Sequence, residues 1–106
     1  MSSAVELQAA SFPAFRDGAG IGIVDFFATW CGPCRMMGPI LDRFAAAHPE
    51  VRVGKIDVDA CPEIAAEYRV SSIPCLVFFK DGQAVREMVG LQQPAALEAA
   101  LREIGG

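Results

Sequence analysis

Apolar positions along this chain fall into two kinds of pattern, continuous short runs and helix-spaced stripes. Residues 21–28 form an apolar run broken by one charge, Asp25. A run of that length fits a strand buried on both faces, in a sheet covered by helices on each side. Residues 51–58 read as a second strand, with Val51, Val53 and Lys55 toward one face and Ile56 and Val58 toward the other. Residues 75–80 and 83–89 flank Asp81-Gly82, a pair suited to a two-residue hairpin turn. Residues 4–7 make a shorter candidate strand. The stripes follow a different period. Met37, Ile40, Leu41 and Phe44 recur at i, i+3, i+4 and i+7, so residues 33–48 should be helical. Pro39 lies inside that helix and is expected to kink it, and Pro49 ends it. Residues 11–16 suggest a short helix with Ser11 as its N-cap, followed by a loop over residues 17–20. Residues 62–68 form another, with Pro62 in its first turn. Residues 94–104 form the last, with Leu97, Leu101 and Ile104 as its inner face, and Gly105-Gly106 lets it fray.

The resulting order is β-α-β-α-β-α-β-β-α, which predicts an α/β fold. Strands joined through helices should be parallel with right-handed crossovers, and the hairpin adds two strands of the opposite sense. A mixed five-stranded sheet with helices on both faces follows. With 106 residues, the chain is expected to form one domain over 1–106 with a core large enough to need neither metal nor staples. A hydrophobic share of 53% against 21% charged argues for a compact globule. The net charge of −4 lacks the basic footprint that nucleic acid requires. No apolar run approaches the roughly 18 residues of a membrane span. The first ten residues have neither a basic n-region nor an apolar h-region, and Met1 is retained, so no secretory signal is expected.

Four cysteines, at positions 31, 34, 61 and 75, then change the picture. Without a signal peptide, a reducing cytosolic compartment is the better inference than a disulfide framework. Trp30-Cys31-Gly32-Pro33-Cys34 lies where a buried strand ends and a helix begins. There both cysteines face the same side, at a spacing a disulfide can bridge. The unpaired N–H groups and partial positive charge of the helix end should stabilise a thiolate on Cys31, the attacking nucleophile. Cys34, one turn deeper beside Met37 and Leu41, should be less exposed and act as the resolving thiol. Pro33 costs the helix little at that position, and Gly32 leaves room for a substrate. Three other readings compete. A zinc site would want a second close pair, yet thirteen residues separate Cys61 from Cys75 and His48 is the only histidine. A structural disulfide would not choose a helix N-terminus in a reducing compartment. Inert core thiols fit poorly at an exposed strand-to-helix turn. Asp25, six residues before Cys31, would be a costly buried carboxylate, and its pKa should rise.

Trp30-Cys31-Gly32-Pro33-Cys34, preceded by Val24-Asp25-Phe26-Phe27-Ala28, resembles the active-site segment of the thioredoxin family. Ile73-Pro74, followed by Leu76-Val77-Phe78-Phe79-Lys80-Asp81-Gly82, is similar to that family's second signature, and the likeness runs from about Val5 to Ile104. The resemblance implies the thioredoxin fold and a protein disulfide reductase and electron carrier. Cys31 and Cys34 would exchange with substrate disulfides, and a thioredoxin reductase would restore the dithiol and hold the flavin and nicotinamide. The chain itself would carry no cofactor and no metal. Disulfide-containing proteins would be its substrates, with a monomer as the default state and neither nucleic acid nor membrane as partner.

The same resemblance assigns supporting residues. Asp25 would exchange a proton with Cys34, directly or by way of a water, with Lys55 as its neighbour. Ile73-Pro74 would carry a cis bond that faces the cysteines, blocks metal ligation by them and turns the Ile73 backbone toward an extended substrate. Trp30 would cover the rim of the site, and Gly90 with Gly32 and Pro33 would form a flat apolar docking patch. The chain departs from the family at Cys75, where threonine is usual, and at Phe27, where many relatives have tryptophan. Cys75 reads first as a small buried apolar side chain. Cys61 opens a helix, where a thiolate could be stabilised. A thioredoxin-fold interaction subunit with an incidental dithiol is the reading from another class, and an oxidant or isomerase is a variant of the first.

Overall fold

A computed structural model describes residues 4–105; the expectations that involve Met1 and Gly106 lie outside the described residues. The strands are β1 (Val5–Glu6), β2 (Ile21–Phe27), β3 (Arg52–Asp57), β4 (Cys75–Lys80) and β5 (Gln83–Val89). The helices are α1 (Phe12–Arg16), α2 (Gly32–Ala47), α3 (Pro62–Glu67) and α4 (Pro94–Glu103). The sheet order is β1-β3-β2-β4-β5. β3 runs parallel to both β1 and β2, while β4 is antiparallel to β2 and β5. This is the mixed five-stranded sheet expected from the alternation of runs and stripes.

The sheet divides the core in two. On one face Ile23, Val53, Leu76 and Phe78 pack under Met37, Leu41 and Phe44 of α2 and Leu97 and Leu101 of α4. On the other Val24, Phe26, Ile56, Val77 and Phe79 meet Phe12 of α1 and Ile64 of α3. Consecutive residues of β2 therefore serve opposite cores, which is why the strand reads as continuously apolar. The Asp81-Gly82 turn has φ of 50° and 86°, so both residues occupy the left-handed region that a type I′ hairpin demands.

Observed ends differ from the expected ones by a residue or two, as frayed termini do. One departure, at Ser11, has a local cause, while Pro39 lies inside α2 as expected. Ser11 occupies the N-cap of α1, but its hydroxyl accepts from the Gln8 N–H at 2.9 Å rather than from the helix. α2 continues through Pro39, whose missing N–H removes the helical donor for the Arg35 carbonyl.

His48 ties the two helices on the α2 face together. It caps the C-terminus of α2, where a cation is favoured. Its Nε2 lies 2.8 Å from Glu98 of α4, its Nδ1 lies 3.5 Å from Glu50, and its ring stacks on Phe44 at 4.5 Å. The Glu98 hydrogen bond is the chief reason its pKa is raised above the ordinary 6.5. A raised histidine stabilises the fold fully below its ordinary pKa and loses that contribution as pH climbs through the folded value. His48→Gln should therefore cost about 0.5–1 kcal/mol at pH 6 and close to nothing at pH 9. Urea unfolding at both pH values measures the difference, and an equal cost at each would refute the assignment.

Candidate active site

β2 delivers the chain to one end of the sheet, and a four-residue turn, 28–31, carries it into α2. Cys31 is the N-cap of α2, with extended φ and ψ of −87° and 115°. That geometry turns its side chain back over the open end of the helix, where Sγ accepts a hydrogen bond from the Cys34 N–H at 3.2 Å. One turn of helix sets the Cα atoms of Cys31 and Cys34 5.3 Å apart, and the two are joined in a disulfide. Pro33 falls in the first turn, where no N–H is needed. A Cβ at Gly32 would meet nothing within 4 Å, so the space beside Cys31 is open to a partner.

One expectation is corrected. Cys31 is not the more open of the pair: the two residues are 5% and 6% exposed. Bonded to Cys34, Cys31 is drawn over the helix end against Ala28, with Phe27, Val58 and Ile73 packed around the pair.

Asp25 lies beneath. It is 4% exposed, and its Oδ1 has no hydrogen-bond partner among the described residues. Burial pushes its carboxyl up to about 7, against the opposing pull of Lys55. Lys55 is its register neighbour on β3, and Leu76 its neighbour on β4. Lys55 makes no ion pair with it among the described residues; the ammonium instead lies 5.7 Å from the centroid of the Phe27 ring. A cavity of about 310 Å³ has Asp25, Lys55, Cys34, Thr29 and Arg35 on its walls. The acid, the ammonium and the second cysteine therefore share one solvent space.

The Ile73–Pro74 peptide is cis, and Pro74 is fully buried. Gly90, at φ 90°, donates its N–H to the Pro74 carbonyl at 2.7 Å, so the end of β5 is fastened to the same loop. Trp30 is 68% exposed, and its indole N–H donates to Asp59 at 2.8 Å. It thus stands at the rim rather than in the core. Cys61 and Cys75 are free and buried. Burial and the nearby Glu87 push the Cys75 thiol up to about 11, in keeping with a small apolar filler.

Sequence reasoning missed Asp59, Thr29 and Arg35. Nothing local marks Asp59, which is 29 residues from Trp30. Arg35 carried a usable signal, a cation in the opening of a helix, where the macrodipole disfavours it.

The thioredoxin family model matches residues 3–103. The chain belongs to the thioredoxin family. A thioredoxin of Chlamydia trachomatis is 45% identical over 93 residues, covering 86% of this chain and 91% of that protein. One from Alicyclobacillus acidocaldarius is 43% identical over 99 residues, covering 92% and 94%. Among solved structures, oxidised mitochondrial thioredoxin 3 of Saccharomyces cerevisiae superposes with a TM-score of 0.86 at 39% identity, covering 95% of each chain. A Halobacterium salinarum thioredoxin gives 0.88 at 34% identity, covering 97% of this chain and 93% of that one. The chain is accordingly a protein-disulfide oxidoreductase of the thioredoxin family, working by dithiol exchange through the Cys31–Cys34 pair.

The Asp25 carboxyl sets a stability test. Its folded pKa of about 7 stands above the ordinary 3.8, so ionisation opposes folding. The penalty is absent below the ordinary value, grows between the two, and is complete above the folded one. Asp25→Asn should stabilise the protein by about 2–4 kcal/mol at pH 8 and by little below about pH 4. Denaturant midpoints across that range decide it; a gain independent of pH would count against the buried charge.

Proposed function

We propose that this thioredoxin acts as a reductant of protein disulfides, with Cys31 as nucleophile, Cys34 as resolving thiol and Asp25 as proton acceptor. The observation that carries the reading is the Cys31 sulfur on the N-terminus of α2, bonded to Cys34, which lines a cavity together with Asp25. In the reduced protein the Cys31 thiolate attacks one sulfur of a substrate disulfide. The substrate S–S bond breaks, a mixed disulfide forms, and one substrate thiolate leaves. Cys34 loses its proton to ionised Asp25 across the shared cavity, and its thiolate attacks Cys31 Sγ. The intramolecular disulfide closes and the second substrate thiolate departs. Two electrons have passed from the dithiol to the substrate.

A carboxyl with a pKa of about 7 suits this exchange, because it can both accept and release a proton near neutral pH. Lys55, in the same cavity, favours the ionised acid. The open space at Gly32 and Gly90 and the exposed Trp30 support a docking patch around the pair. Exposed Pro33 gives that patch a rigid edge. Among the described residues, no backbone hydrogen bond within the chain claims the N–H or C=O of Ile73, which leaves it free for an extended substrate. Disulfide-containing substrates and a reductase are the general partners of thioredoxins. Here a thioredoxin reductase would return the two electrons, the chain would act as a monomer, and the compartment would be the cytoplasm. No helix among the described residues is long and apolar enough to cross a membrane.

The direction of electron flow is tested by the equilibrium potential of the Cys31–Cys34 couple in a Cys61→Ser/Cys75→Ser background. The proposal expects a value near the reference figure for thioredoxins, about −270 mV. A value of about −120 to −180 mV would make the chain an oxidant or isomerase and overturn it. In the same background, Cys34→Ser should accumulate a mixed disulfide on Cys31 that wild type does not retain.

A further inference from the structure

The cavity beneath the dithiol has one wall to which the exchange steps above give no part. Arg35 follows Cys34 in the opening of α2, and its Nη2 donates to the Thr29 carbonyl at 3.0 Å. Both residues line the cavity that holds Asp25. We propose that Arg35 is a positioning residue for disulfide exchange, closing the outer wall of the Asp25 cavity by holding the Thr29 carbonyl across its mouth.

Three observations lead there. First, the residue type opposes its local setting: a cation near a helix N-terminus works against the macrodipole, and the first turn of α2 carries no acid to offset it. Its guanidinium donates across to the β2–α2 turn instead. Second, that turn has separate fastenings. Cys31 N–H donates to the Ala28 carbonyl at 3.2 Å, and the Trp30 indole donates to Asp59 at 2.8 Å. The Thr29 carbonyl has Arg35, so removing that side chain frees the cavity side of the turn. Third, Pro39 leaves the Arg35 carbonyl without its helical donor, so the opening of α2 is less firmly held by its own backbone than a regular helix would be.

The titratable and charged groups around Asp25 are Lys55 from β3, Cys34 and Arg35 from α2, and Cys75 from β4, whose thiol its charge helps push up. Asp25 owes its raised pKa first to burial, and Lys55 is the opposing cation. A side chain that closes the wall and a side chain that merely adds positive charge thus have opposite effects. Loss of the wall admits water and lowers the Asp25 pKa; loss of a cation raises it.

The experiment follows the Asp25 carboxyl of the full chain by carbon-13 NMR across pH in wild type, Arg35→Ala, Arg35→Met and Arg35→Lys. Arg35 is exposed, so these variants should keep the fold. The proposal expects the Ala and Met midpoints to fall by about one pH unit. It expects Lys, which keeps a long donor for Thr29, to stay near wild type. An Ala midpoint that holds or rises overturns it, as does a Lys midpoint that falls as far as Ala. The kinetic half of the proposal rests on proton exchange between Asp25 and Cys34. Its readout is the pH profile of mixed-disulfide resolution, which should shift to lower pH in Arg35→Ala by the same amount as the titration. Asp25→Asn separates the two failures: unchanged resolution in that variant refutes the proton exchange, while the NMR titration still decides the wall.

Discussion

The site depends on one placement, a sulfur atom at the open end of a helix. The first turn of α2 has N–H groups that no carbonyl within the helix can satisfy. The Cys34 N–H finds the Cys31 sulfur at 3.2 Å, so the nucleophile doubles as the cap. A thiolate accepts such a bond better than a thiol, and the aligned peptide dipoles favour the negative charge. The rest of the fold keeps that end where it is. β2 ends in the centre of the sheet, the turn after it is tied to Asp59 and Arg35, and α2 is packed along its length by Met37, Leu41 and Phe44.

The second constraint is a carboxyl placed where its charge is costly. β2 is the middle strand of the sheet and is buried on both faces, so any ionisable side chain there loses its water. The protein retains this destabilising group on the cavity that Cys34 lines. Lys55 opposes the desolvation from the neighbouring strand. A carboxyl balanced near neutrality is the outcome, and it is useful only because Cys34 opens onto the same space.

Much of this was legible in the residues. The alternation of apolar runs and helical stripes gave the element order, and Asp25 stood out because it interrupts the strongest run. Asp81-Gly82 identified its hairpin through backbone preference alone. Cys31, Cys34 and Pro33 could be placed on a helix opening because strand and helix periods meet there. What could not be read depends on distance through space. Trp30 with Asp59, Arg35 with Thr29 and His48 with Glu98 are side-chain pairings decided by how crossovers dock, to which local pattern is blind. The family resemblance puts Lys55 beside Asp25, but whether it forms an ion pair depends on where a flexible side chain comes to rest, here over Phe27. The equal burial of the two cysteines is not legible in the sequence, because Cys31 packs with Ala28, Phe27, Val58 and Ile73, all outside its own helix.

The most direct test of the account is the ionisation of Cys31 in the reduced protein, read from the pH dependence of its alkylation rate in a Cys61→Ser/Cys75→Ser background. The helix-end placement predicts that Cys31 reacts before Cys34, with a midpoint at least about one unit below the ordinary cysteine value of about 8.5. A midpoint at or above that value, or faster alkylation of Cys34, would contradict the claim that the opening of α2 creates the nucleophile.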